Sequence, residues 1–265
     1  MAPAKLLLVL LVPCITAFAP LLGVGQKCYA LAFGLGDYEA AYQAGALKAI
    51  VSSGELSADE YAYDSVSGVS GGALNAVILA NYTQGQEQQA VVRMEEFWNG
   101  TRGTSLFKAW FGGIKQGHFF EGGTYNSSPL EDFLKDEFKG VQKKNGRDVS
   151  VANATSGAHL VDALYASMSP ARSFPAAEGI ALAGMELEAA IGKCAAKGFS
   201  DDQIVVDALM TSAEDVTSVS AKYSRVTFRY SIAPSTEVQD TPIEKAFALG
   251  VEDAEHAIAA FHQSN

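Results

Sequence analysis

Ala62-Tyr63-Asp64-Ser65-Val66-Ser67-Gly68-Val69-Ser70-Gly71-Gly72-Ala73-Leu74-Asn75-Ala76-Val77-Ile78-Leu79-Ala80 is the stretch that decides the fold. Residues 62–67 read as a strand and residues 73–80 as a helix. The five residues between them, Gly68-Val69-Ser70-Gly71-Gly72, read G-x-S-x-G. A serine held on a sharp strand-to-helix turn is a nucleophile elbow. Such a turn strains the serine backbone, and glycines at its flanks let the chain close without Cβ clashes. The hydroxyl then projects at the N-terminus of the following helix, where partial positive charge favours a developing oxyanion.

Upstream, Tyr29–Phe33 is a short apolar run bounded by Gly34 and Gly36, and Ala40–Ser53 carries apolar residues at helical spacing. The resulting order β-α-β-α predicts an α/β fold, a mostly parallel central sheet flanked by helices. The turn Phe33-Gly34-Leu35-Gly36-Asp37 sits between the first strand and first helix, where backbone amides can cradle an anion. Gly34, Gly36 and the amide of Gly71 are therefore the expected oxyanion site. A dinucleotide fingerprint would need a third glycine where Glu39 stands. Only about fifty residues separate the end of the leader from Ser70, room for one β-α-β unit. The α/β-hydrolase fold places several strands before its elbow, so the topology here is a different one.

Downstream, helices are expected over Ala90–Trp98, Pro129–Phe138, Leu160–Met168, Glu186–Lys197 and from Ile243 or Ala246 to Phe261. Ile204–Val206 reads as a buried strand, and Val226–Ile232 alternates like a half-exposed one. Lys139–Asp148 reads as a solvated loop. Gly100–Gly123 interleaves glycines with Trp110, Phe111, Phe119 and Phe120, the composition of a core filler, a lid or a substrate-facing wall.

The chain has 265 residues, 48% of them apolar, and a formal charge of −11. That is enough for one sizeable core, and the acidic balance argues against nucleic acid as a partner and against simple electrostatic docking on anionic lipid. Residues 1–19 have the plan of a signal peptide: Lys5, the apolar run Leu6–Val12, then small Ala17 and Ala19. A cut after Ala17 and a buried first strand are the alternatives. Thr16–Pro20 also resembles the bipartite plastid signals of algae, so the expected destination is the secretory lumen or the cell exterior, with the plastid as the alternative. Asn81, Asn99, Asn126 and Asn153 each open an N-x-S/T sequon, in keeping with glycosylation in such a lumen. Cys14 falls in the leader, leaving Cys28 and Cys194 as either a disulfide or two buried thiols.

A serine nucleophile needs a base. The histidines are His118, His159, His256 and His262, and the last two lie on an acidic, solvated terminal helix. Ser70, Asp207 and His256 stand in the order of a hydrolase triad, an outside reading.

At this point the residues resemble the patatin-like phospholipases, over a domain spanning 28–262. Leu31–Asp37 and Ala41–Leu47 look like the family's oxyanion loop and helix, Tyr63–Ala76 like its nucleophile segment, and Ala166–Pro175 like the segment before its catalytic aspartate. The resemblance implies a lipid acyl hydrolase using a serine–aspartate dyad, without histidine, metal or cofactor, on lipid or acyl-ester substrates met at a membrane surface. The aromatic stretch Leu106–Phe120 is then a candidate contact surface for lipid. A carboxylate can serve as base for the serine when held against it. Two departures stand out. Leu35-Gly36-Asp37-Tyr38-Glu39-Ala40 replaces glycines of the family loop and puts Glu39 where a cation is expected. The family's D-G-G or D-G-A is missing: Leu182-Ala183-Gly184-Met185-Glu186 stands where it belongs, with Ala183-Gly184 in place of the dyad aspartate and its glycine, and the chain is contracted near 148–186. Asp201, Asp202 and Asp207 are substitutes for it or else solvated and capping residues. The resemblance thus implies a patatin-like lipid hydrolase, or a catalytically inactive relative that binds lipid or a partner.

Overall fold

The computed structural model describes residues 25–101, 108, 111, 116, 126, 128–139, 148–151, 160–168, 185–211, 214–238 and 241–264. The expected leader 1–19, most of the aromatic stretch 106–120, Asn153, His118, His159 and Ala183-Gly184 lie outside them. Five strands are described: β1 (Cys28–Phe33), β2 (Ser65–Gly68), β3 (Asp148–Val151), β4 (Ile204–Leu209) and β5 (Thr227–Ile232). They form an all-parallel sheet in the order β3-β2-β1-β4-β5. The helices are α1 (Ala40–Ser52), α2 (Ala58–Tyr61), α3 (Gly71–Ala80), α4 (Glu87–Gly100), α5 (Ser128–Glu137), α6 (Leu160–Met168), α7 (Met185–Ala196), α8 (Glu214–Lys222) and α9 (Ile243–Ser264).

β1 lies at the centre and is covered on both faces, which is why it reads as continuous apolar residues rather than an alternation. Leu31 and Phe33 face one core, shared with α1, α3, α4 and α9. Cys28, Ala30 and Ala32 face the other, shared with α7 and α8. The second face carries small residues, so α7 approaches the sheet closely. Ser65 donates to the Ala190 carbonyl at 2.9 Å and Ser67 to that of Glu186. Cys194 of α7 is disulfide-bonded to Cys28, with Cα atoms 5.9 Å apart and a sequence separation of 166. A loop of that length corresponds to about 5 kcal/mol in the chain-entropy account of cross-linking.

On the opposite face α1 and α9 cross at van der Waals contact. A Cβ at Gly45 would stand 2.0 Å from the Phe247 carbonyl oxygen, and one at Gly250 would stand 2.0 Å from that of Tyr42. The Tyr42 hydroxyl donates to Asp253 at 3.0 Å beside this crossing. Burial, then the Asp253 charge, push the Tyr42 phenol far up.

Three readings need correction. The solvated loop expected over 139–148 ends in β3, whose Asp148 pairs with Ser65. Four residues beside a polar connector carry too short a pattern to read as a strand, and it is the β2 edge that orders them. The short α2 and the polar α8 went unread for the same lack of an apolar stripe. The half-exposed alternation expected over 226–232 is broken: Val206 pairs with Phe228 and Asp207 with Tyr230, so Arg229 is an extra, bulged residue and is buried.

Candidate active site

Ser70 occupies the corner between β2 and α3 with φ 53° and ψ −127°. Among the described residues no other non-glycine residue has positive φ. Such a conformation costs on the order of 1–3 kcal/mol and persists only where the surroundings enforce it. The surroundings here are backbone. A Cβ at Gly68 would stand 2.3 Å from the Gly72 carbonyl oxygen, one at Gly71 2.4 Å from that of Gly36, and one at Gly72 2.3 Å from that of Gly34. The elbow glycines are thus required by close approach, both within the turn and against the β1–α1 loop.

That loop lies at the carboxyl ends of β1 and β4. The chain leaves β1 for β2 on one side and returns to β4 on the other, so this is a topological switch point, where open parallel sheets take their ligands. The Gly34 N–H donates to the Leu209 carbonyl at 2.9 Å, and the Thr211 hydroxyl bonds the Leu35 carbonyl.

The hydrogen bonds sort the expected oxyanion donors. The Gly71 N–H donates to the Gly36 carbonyl at 2.7 Å, and the Gly34 N–H is spent on β4. Neither is available as an oxyanion donor, a correction that sequence could not foresee, because both acceptors are backbone carbonyls brought up by the fold. Gly36 is the one of the three whose N–H meets no acceptor among the described residues. The Ser70 N–H donates to the hydroxyl of Ser167 on α6 at 2.8 Å, a contact the sequence reading missed. Ser167 is buried, and its position in the segment resembling the family's pre-aspartate stretch was the only signal for it.

Beside Gly36, the Glu39 carboxylate folds back to accept the Asp37 N–H at 2.9 Å. Burial, then the charge of Glu39, raise the Asp37 carboxyl above its ordinary range. The loop therefore has an anion seat, and this chain puts its own carboxylate there. Leu35 and Tyr38, on the same loop, are exposed.

None of the substitute aspartates reaches the elbow. Asp201 and Asp202 form the turn before β4, at the amino end of the strands and thus the wrong end of the sheet, where Asp201 pairs with Arg225 at 3.6 Å. Asp207 is fully buried and saturated. Its Oδ1 accepts from Arg229 Nε at 3.0 Å and the Tyr230 N–H at 3.3 Å; its Oδ2 accepts from Arg229 Nη2 at 2.5 Å and the Tyr63 hydroxyl at 2.7 Å. The guanidinium lies 5.3 Å from the ring centroids of both Tyr29 and Tyr230. Burial opposes the Arg229 charge, but the hydrogen bonds and charge of Asp207 outweigh it and raise the group. Burial, then the Asp207 charge, drive the Tyr63 phenol well up. The bulge is what turns Arg229 inward to this pair. Asp207 is an ion-pair partner, and the triad with His256 is not assembled: among the described residues no histidine bonds Asp207, and His256 is exposed on α9. His262, also on α9, lies 3.9 Å from Glu55.

Among the described residues, no carboxylate accepts a hydrogen bond from Ser70 Oγ, and no group of three His, Cys, Asp or Glu side chains is placed to hold a metal ion. Of the sequon asparagines, Asn99 is exposed near the end of α4, while Asn81 and Asn126 are half-buried.

The family model for patatin-like phospholipase matches residues 38–241, well over half of the chain and a span that contains the elbow, β2 through β5 and α7. No curated protein matches the chain.

Proposed function

The chain belongs to the patatin-like phospholipase family, whose members are lipid acyl hydrolases, and on that footing we propose that it cleaves lipid acyl esters with Ser70 as the nucleophile. The observation that carries this reading is the strained serine at the strand-to-helix corner, held by glycines that no other residue could replace. Ser70 Oγ attacks the acyl carbonyl, the alcohol departs, and water releases the acyl group from the enzyme. The Gly36 N–H supports the oxyanion, and the Asp37 N–H joins it once the Glu39 carboxylate gives up its seat. A fluorophosphonate probe tests the reading: wild type reacts at Ser70 and Ser70→Ala does not, with a parallel loss of p-nitrophenyl ester hydrolysis. Equal behaviour of the two proteins would remove Ser70 from the chemistry.

A second reading has its own support. No described carboxylate engages Ser70, and an acidic side chain occupies the anion seat, so a family member that binds lipid or a partner without turnover fits too. Wild type that stays unlabelled yet sediments with phosphatidylcholine vesicles would establish it.

For location we propose the secretory pathway, with Asn81, Asn99, Asn126 and Asn153 as glycosylation sites and residues 1–19 as the leader. The plastid remains the alternative. The Cys28–Cys194 disulfide supports an oxidising compartment. Peripheral contact with a lipid surface is supported by the exposed Leu35 and Tyr38 on the loop and by the wholly exposed Phe111. Retained vesicle binding in Leu35→Ser/Phe111→Ser would dispose of that contact.

A further inference from the structure

A buried chain of side-chain amides runs from α4 to the loop that faces Ser70. The Trp98 Nε1–H donates to Asn75 Oδ1 at 2.8 Å. The Asn75 Nδ2 group donates to the Ala40 carbonyl at 2.9 Å and to Gln43 Oε1 at 3.3 Å, and Gln43 Nε2 donates to the Gly34 carbonyl at 2.8 Å. Gln43 and Asn75 have no solvent exposure and Trp98 almost none. The orientation of both amides follows from their neighbours: an indole N–H can only donate, so it must meet the Asn75 oxygen, and backbone carbonyls can only accept. Both Asn75 protons and its oxygen are engaged.

The acceptors at the loop end are not arbitrary. Gly34 and Ala40 bracket the segment that carries the Gly36 and Asp37 amides, and Asn75 lies on α3, the helix that begins beside Ser70. We propose that Gln43, Asn75 and Trp98 are positioning residues: they clamp both ends of the oxyanion loop to the helix of the nucleophile and thereby set the Gly36 N–H against Ser70 Oγ. The clamp is buried and polar, and its two anchor points on the loop are backbone carbonyls, so it fixes a register that apolar packing alone would leave free to slide. The catalytic consequence rests on the reading of Ser70 as nucleophile; the clamp itself does not.

The test uses Gln43→Met, which keeps the side-chain length and removes the bond to Gly34, and Trp98→Phe, which keeps an aromatic ring and removes the indole donor. Either suffices should the other fail to fold. Amide hydrogen exchange on the full chain is expected to quicken by about 10-fold or more across 34–40 while β1 keeps its protection. With an ester substrate, kcat is expected to fall about 10- to 100-fold with KM within about 2-fold, the signature of a misplaced oxyanion donor rather than of lost substrate binding. Unchanged exchange over 34–40 overturns the clamp, whatever the activity. Quickened exchange with kcat and the rate of fluorophosphonate labelling both intact overturns its part in the chemistry. Wild type as unreactive as Ser70→Ala would instead sink the proposed function, and the exchange result alone would then decide whether the clamp exists.

Discussion

Ser70, just beyond the end of buried β2, and Asp207, within buried β4, are both polar residues, and their surroundings are opposites. Asp207 sits in mid-strand with every lone pair directed at a donor: two guanidinium nitrogens, a phenol and a backbone amide. Ser70 stands past the carboxyl end of β2, half-buried, in a strained conformation, with its amide engaged but no carboxylate on its hydroxyl among the described residues. A polar group whose capacity is wholly used by the fold is part of the framework. One held at a cost, with capacity to spare, is available for chemistry. The same contrast divides the β1–α1 loop, whose Gly34 amide is consumed by β4 while that of Gly36 meets no acceptor among the described residues.

The largest expected effect lies at the serine. Ser70→Ala should abolish phosphonate labelling and cut ester hydrolysis by at least about 10³-fold, with an unchanged melting temperature. Asp207→Asn should do the reverse. It leaves the Arg229 charge buried without its partner, which costs about 3–5 kcal/mol and lowers the melting temperature by about 10 °C. At temperatures where that variant is folded, its labelling rate should equal that of wild type; a loss there would restore Asp207 as a base and break the comparison. Reducing the Cys28–Cys194 bond, or Cys28→Ser/Cys194→Ser, should cost about 2–5 kcal/mol in a denaturant titration and leave Ser70 reactive once refolded. The smallest effect is at the anion seat. Glu39→Gln removes a charge next to the developing oxyanion and should quicken labelling by about 3- to 10-fold. In the same variant the Asp37 carboxyl should titrate lower, since one of the two causes raising it is gone. A labelling time course reads the first change and an NMR titration of Asp37 the second.

Much of this site was legible in one dimension. The elbow's glycines and the strand and helix around it sit in one continuous stretch, and local backbone sterics allow that pattern few other conformations. The Gly34–Gly36 turn was placed correctly for the same reason. The misassigned donors were not local. Gly71 follows the end of β2 by three residues, yet its N–H is lost to Gly36, which a different strand delivers. Asn75 and Gln43 read simply as helix residues, because the partners that make them a clamp come from α4 and from the far end of β1.

By itself, then, the sequence determined the α/β plan, the corner at Ser70 and the departures at Glu39 and Ala183-Gly184, all of which are properties of neighbouring residues and of residue type. Tertiary structure alone decided that Cys28 meets Cys194, that a bulge turns Arg229 onto Asp207, and that among the described residues Gly36 keeps an open amide while Gly34 and Gly71 do not. The reason is that hydrogen-bonding capacity is a property of pairs: composition states which donors exist, but only the packing of distant strands and helices states which are already taken.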